Sequence, residues 1–173
     1  MVTLVIGLGN SVLSDDAVGL FVLREVQRRV SAPDLEFLEM EAGGIRLLDV
    51  VPGYDRVVLI DAVVTGQAPP GTLYEVLLVD TGGTYVPADP GDGARRLASL
   101  IAHSPRLASA HDADLSTALD LARRLGAEMP KEILVFGIEA ENVTEFSEQL
   151  TPAVAAGVDL IVDTIAARLA GRR

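Results

Sequence analysis

The chain has 173 residues, 49% of them hydrophobic and 23% charged, a composition that supports one globular core and argues against disorder. Its 14 Lys+Arg stand against 25 Asp+Glu, a formal net charge of −11; nucleic acid and anionic membrane surfaces, which attract clustered positive charge, are disfavoured as partners. Cysteine and tryptophan are absent, which removes disulfides, thiolate metal sites, iron–sulfur clusters and cysteine nucleophiles, and leaves little for base stacking.

No apolar run reaches the roughly 18–20 residues of a membrane span. The N-terminus lacks a basic region and reads as a strand instead of a signal peptide, so a cytoplasmic protein is expected. Val2 to Ile6 is continuously apolar and β-branched, as a strand buried on both faces should be. From Asp15 to Val30 the period changes: Val18, Val22, Val26 and Val30, with Phe21, form one helical stripe. Leu35 to Met40 is a second strand. Gly43-Gly44 opens a short helix, Ile45 to Val51, stopped by Pro52-Gly53. Arg56 to Asp61 is the strongest strand signal, and Thr72 to Val79 is another strand, set off by Pro69-Pro70-Gly71.

Residues 80–106 are punctuated by Gly and Pro and read as a long surface excursion with a short helix near Ala94–Ala102. Such a loop is expected to contact a protein partner. Asp112 to Leu125 returns to helical spacing, with Leu115, Ala118, Leu119, Ala122 and Leu125 on one face and Gly126 as its stop. Glu132 to Gly137 is a central strand. Thr151 reads as an N-cap with Pro152 at N1, and Val154, Val158, Ile161, Ile165 and Leu169 continue the last helix. Strands alternating with helices predict an α/β fold: a single three-layer domain over residues 1–173, with a twisted, mostly parallel sheet and helices on both faces.

The segment Gly7-Leu8-Gly9-Asn10, followed by Asp15-Asp16-Ala17-Val18-Gly19, joins the first strand to the first helix. In an open parallel sheet, ligands bind where loops leave the carboxyl ends of strands. Val12 breaks the dinucleotide pattern G-x-G-x-x-G, and no Gly-Lys-Ser/Thr follows, so the glycines serve a tight turn and not a phosphate cradle. Asp15 suits a helix cap. Asp16 is one acid more than a cap requires. Asp61 ends the strongest strand, either as a turn acid or as a functional group. His111 precedes an amphipathic helix, either capping it or lying on the surface or serving chemistry; His103, the other histidine, lies in the excursion. Asp16, Asp61 and His111 make a set of two carboxylates and one imidazole, donors that suit Ni²⁺, Zn²⁺, Mn²⁺ or Fe²⁺. Three protein ligands leave coordination positions open.

These segments resemble the hydrogenase maturation endopeptidases, which trim the C-terminus of the large subunit of nickel-iron hydrogenases. Gly7 to Asn10 and Asp15 to Gly19 are similar to the family's G-x-G-N, spacer, D-[DE]-[GA]-x-G. Ala42 to Leu48 resembles its Gly-rich turn, Val58 to Ala62 its second-ligand strand, and Ser109 to Ser116 its S-x-H-[EDQ] segment. Phe136 to Glu139 fits the later strand, with Ala140 where the family often has Pro. The resemblance implies metal ligands at Asp16, Asp61 and His111, which are also the candidate catalytic residues. It implies a twisted sheet flanked by helices on both sides. It implies nickel supplied by the substrate precursor and no metal of the protein's own. The implied partner is the hydrogenase large-subunit precursor, with no nucleic acid and no membrane, and a monomer is expected. With no Ser/His/Asp triad evident, metal-polarised carbonyl chemistry is favoured.

Three rivals stand beside this reading. A small-molecule hydrolase would carry a Zn²⁺ of its own. A nickel-checking chaperone would bind the precursor without cutting. Peptidyl-tRNA hydrolases also open with Gly-Leu-Gly-Asn, but follow it with Pro-Gly where this chain has Ser11-Val12, and they have an Arg-His-Asn segment where this chain has no histidine before His103.

Overall fold

A computed structural model of the chain describes residues 1–41, 44–82, 84–89 and 115–171. Six strands form one mixed sheet: β1 (Thr3–Leu8), β2 (Leu35–Met40), β3 (Arg56–Val63), β4 (Leu73–Asp80), β5 (Tyr85–Pro87) and β6 (Glu132–Glu139). Their spatial order is β2-β1-β3-β6-β4-β5. β1 pairs in parallel with β2 and β3, and β3 with β6; β4 runs antiparallel to β6, and β5 antiparallel to β4. The helices are α1 (Val18–Arg29), α2 (Leu115–Arg124) and α3 (Pro152–Ala170), with 3₁₀ turns at Ser14–Ala17 and Gly44–Asp49.

The central strands are buried along both faces, as their unbroken apolar runs require. Strand alternation splits their side chains into two cores. Val5, Val58, Ile60, Leu134 and Phe136 meet α1 and α3 on one face. Leu4, Ile6, Leu59, Val63 and Val135 meet Leu47, Val51 and Leu119 on the other. The result is the expected three-layer α/β arrangement. Among the described residues no helix is long and apolar enough to cross a membrane.

Several local expectations are corrected. α1 buries Val18, Val22 and Val26 as its spacing predicts, but Leu23 and not Phe21 completes the stripe. Gly126, at φ +83°, stops α2 through an N–H donated to the Arg123 carbonyl, and this leaves Leu125 beyond the helix and 76% exposed. Thr151 occupies the N-cap position of α3, yet its hydroxyl makes no cap bond. The start of the irregular excursion is an edge strand, β5, paired with β4. The short helix expected near Ala94–Ala102 lies outside the described residues.

β5 is anchored by Tyr85, whose hydroxyl donates to the Pro130 carbonyl at 2.5 Å and whose ring faces Arg123 at 5.1 Å. Burial pushes the Tyr85 phenol up to about 12; Asp80 adds to this and Arg123 opposes it. Arg123 also pairs with Asp80 at 2.6 Å, which pins the C-terminal end of α2 at the edge where β6 begins.

Candidate active site

The strand order reverses between β1 and β3: β2 lies to one side of β1, and β3, next in sequence, to the other. Crevices outside the carboxyl ends of such strands are the usual ligand sites of open α/β sheets. Both described members of the predicted set flank this point. Asp16 stands in the 3₁₀ turn after β1 and is 1% exposed; Asp61 stands in β3, beyond Ile60, the partner of Gly7 in β1, and is fully buried. His111 and His103 lie outside the described residues. Among the described residues no three acidic or imidazole groups gather as a metal set, so Asp16 and Asp61 are the part of the predicted trio that can be located.

Glycines bring these two carboxylates to one edge. Gly19 is the second residue of α1, three residues after Asp16. A methyl group there would overlap the carbonyl oxygens of Leu8 and Ile60. Only a bare Cα lets the helix start press onto β1 and β3, and the turn carrying Asp16 lies against β3. Gly9 serves the same end: a Cβ on it would run into the Asp16 carbonyl. The Asn10 N–H donates to that same carbonyl at 3.3 Å. On β3, Asp61 shares the face of Leu59 and Val63, the face covered by α2. One of its oxygens accepts the Ala62 N–H at 2.9 Å.

The turn itself is strained. Ser14 has φ +49°, an uncommon region for a residue with a side chain. Cross-chain bonds hold it there. The Ser14 N–H donates to the Ser147 carbonyl at 2.8 Å, the Asp15 N–H to Asn142 at 2.9 Å, and the Ser147 N–H to Val12 at 3.1 Å.

Asp15 is a second correction. It does not cap α1. Its buried carboxylate reaches across the molecule and accepts four bonds: from the N–H groups of Glu141 and Asn142, both at 3.0 Å, from the Thr151 N–H at 2.7 Å, and from the Thr151 hydroxyl at 2.9 Å. Glu139, 2% exposed at the end of β6, does the same for the loop after β3. It accepts the N–H groups of Thr65 and Gly66, both at 2.8 Å, and the hydroxyls of Thr65 at 2.5 Å and Tyr74 at 2.9 Å. Residues 139–142 thus tie together the loop ahead of Asp16 and the loop behind Asp61.

No family model matches the chain. It is 29% identical over 167 residues to the hydrogenase 2 maturation protease of Escherichia coli K12, covering 96% of this chain and 89% of that protein. Its structure superposes on the hydrogenase maturating endopeptidase HybD from E. coli with a TM-score of 0.73 at 26% identity, covering 99% of this chain and 94% of the other. The [NiFe] hydrogenase maturation protease HybD from Thermococcus kodakarensis matches with a TM-score of 0.56 at 25% identity, over 98% and 99% of the two chains. Likeness in sequence and in structure, running nearly end to end, points one way. The chain is similar over nearly its whole length to hydrogenase maturation endopeptidases.

The paired acids after β1 differ in their surroundings: Asp15 ties the loops, and Asp16 stands buried in the 3₁₀ turn beside β3. The tethering by Asp15 and Glu139 was missed from sequence. One signal was available: Glu139 is an acid at the exit of a strand with an apolar interior, as Asp61 nearly is in β3, and a buried carboxylate at a strand exit must find donors.

Proposed function

We propose that this chain is an endopeptidase that removes the C-terminal extension of a hydrogenase large-subunit precursor already loaded with nickel, and that it recognises the precursor through that ion. The observation that carries the reading is the burial of two carboxylates, Asp16 and Asp61, on either side of the switch point between β1 and β3. The names and end-to-end coverage of the related proteins support hydrogenase maturation as the process.

His111, which lies outside the described residues, is taken as the third ligand because the resemblance implies it. The Arg123–Asp80 pair fixes the far end of α2 at the opposite edge of the sheet. A ten-residue helix spans about 15 Å, so α2 leads back toward the carboxyl edge, and His111 stands four residues before Leu115 in sequence. Asp61 projects to the face that α2 covers.

Nickel is part of the substrate in this account. Two carboxylates and one imidazole give oxygen and nitrogen donors and leave positions for ligands from the precursor. Held there, the ion supplies Lewis-acid polarisation of the scissile carbonyl. The chain's own residues orient it: the strained turn fixes Asp16, β3 fixes Asp61, and their burial keeps competing water away and strengthens each charge interaction. The test is the mass of the large subunit after incubation with this protein. Loss of a C-terminal peptide is expected; binding without any change in mass would identify a chaperone instead.

A further inference from the structure

The loop between β6 and α3 carries Phe146, 87% exposed, in a chain with only four phenylalanines. The loop is tightly built. The Asn142 side-chain oxygen accepts the N–H groups of Thr144 at 3.0 Å and Glu145 at 3.1 Å. Ser147 is bonded to Val12 and Ser14, and Asp15 holds both ends of the segment, at Asn142 and Thr151. A large apolar ring is therefore presented to solvent on a pre-organised loop, an arrangement that lowers the ordering cost of binding. It lies beside the turn that carries Asp16. Val12, 41% exposed, is joined to that loop through Ser147, and Val64, 39% exposed, precedes the Thr65-Gly66 turn held by Glu139. Between the loop and α1 opens a cleft of about 240 Å³ lined by Ser11, Ala17, Leu20, Phe21, Arg24 and Glu148. Glu141, Glu145 and Glu148 surround Phe146 in sequence, and Glu141 and Glu145 are exposed.

We infer that Phe146, with Val12 and the acidic residues around it, is the docking surface for the precursor's folded body, seating in an apolar pocket of the precursor that is flanked by Lys or Arg. This rests on the function proposed above and adds where the partner binds. Continuity with the Asp16 turn argues for the precursor as occupant, because a protein seated on Phe146 lies next to the carboxylates that would receive its nickel. The acidic surround sets the partner's charge, and an exposed aromatic on a rigid loop has the character of an interface hot spot.

The test uses the full-length protein and purified nickel-loaded precursor. F146S should raise KM about tenfold with kcat within about twofold and an unchanged melting temperature, since the ring packs on nothing that folding needs. E145K/E148K should raise KM as well, and wild-type KM should climb with salt. Binding is also read directly with labelled precursor, so that the surface is tested even where no cutting occurs. Equal affinity of wild type and F146S would overturn the inference. So would a wild-type dimer that F146S dissolves, which would give the surface to a second copy of the chain. A wild type that binds precursor through Phe146 but leaves its mass unchanged would overturn the endopeptidase reading and leave the docking surface standing.

Discussion

Replacing Asp15 by Ala tests whether the site is held together from the far end of the chain. The change strands four donors, three backbone N–H groups and the Thr151 hydroxyl, in a region where Asp15 itself is fully buried. Bonds to a charged acceptor contribute about 1.5–3 kcal/mol each, but such effects in one network do not add, and the loss expected is about 3–5 kcal/mol. For a chain of this size that corresponds to a fall in melting temperature of about 6–20 °C. D15N keeps one acceptor oxygen and should lose roughly half as much. Urea titration with an unchanged slope gives the free energy. Hydrogen exchange at the Glu141, Asn142 and Thr151 amides locates it, and these should exchange faster before the core opens. A loss under about 1 kcal/mol, or a large loss without faster exchange at those amides, would refute the tethering role.

D16N, D61N and H111A should each abolish processing while costing about 0.5–2 kcal/mol of stability, as read by precursor mass beside circular dichroism melts; normal processing by H111A would remove it from the site. Gly19→Ala should destabilise by about 1–3 kcal/mol or more, although helix propensity alone would favour Ala by about 1 kcal/mol, so the sign of the change in urea midpoint decides whether the contacts with Leu8 and Ile60 are as close as the structure has them. The Tyr85 phenol is raised in the folded protein, so the stabilisation it gives is complete below pH 10 and is lost as pH rises toward about 12. Wild type should therefore weaken more steeply than Y85F across that range, and parallel profiles would count against the burial of Tyr85.

Much of the fold was legible because strongly patterned segments speak for themselves. β2 matches its predicted bounds, Leu35 to Met40, and β3 and β6 run only two residues beyond theirs. The errors have local causes. Phe21 fits the stripe of α1 by size and spacing, but Leu23 faces the sheet because the close approach at Gly7 and Gly19 rotates the helix onto β1. β5 was missed because three residues bounded by Gly and Pro carry no period; pairing with β4 makes the strand. For the site, Asp16 and Asp61 could be singled out as acids at a turn and at a strand exit. The tasks of Asp15 and Glu139 could not be read, because their partners lie up to 136 residues away in sequence. Thr151 illustrates the same limit: in sequence it looks like a cap, and in the fold its hydroxyl donates to Asp15.

The most direct test of the account compares one precursor in two states. Large-subunit precursor is prepared with nickel and with nickel rigorously removed, incubated with this protein, and weighed. The account predicts loss of the C-terminal peptide from the loaded form alone, with weak Ni²⁺ binding to the free protein by calorimetry, because two carboxylates and one imidazole leave the ion short of ligands. Efficient cutting of the nickel-free precursor would contradict it.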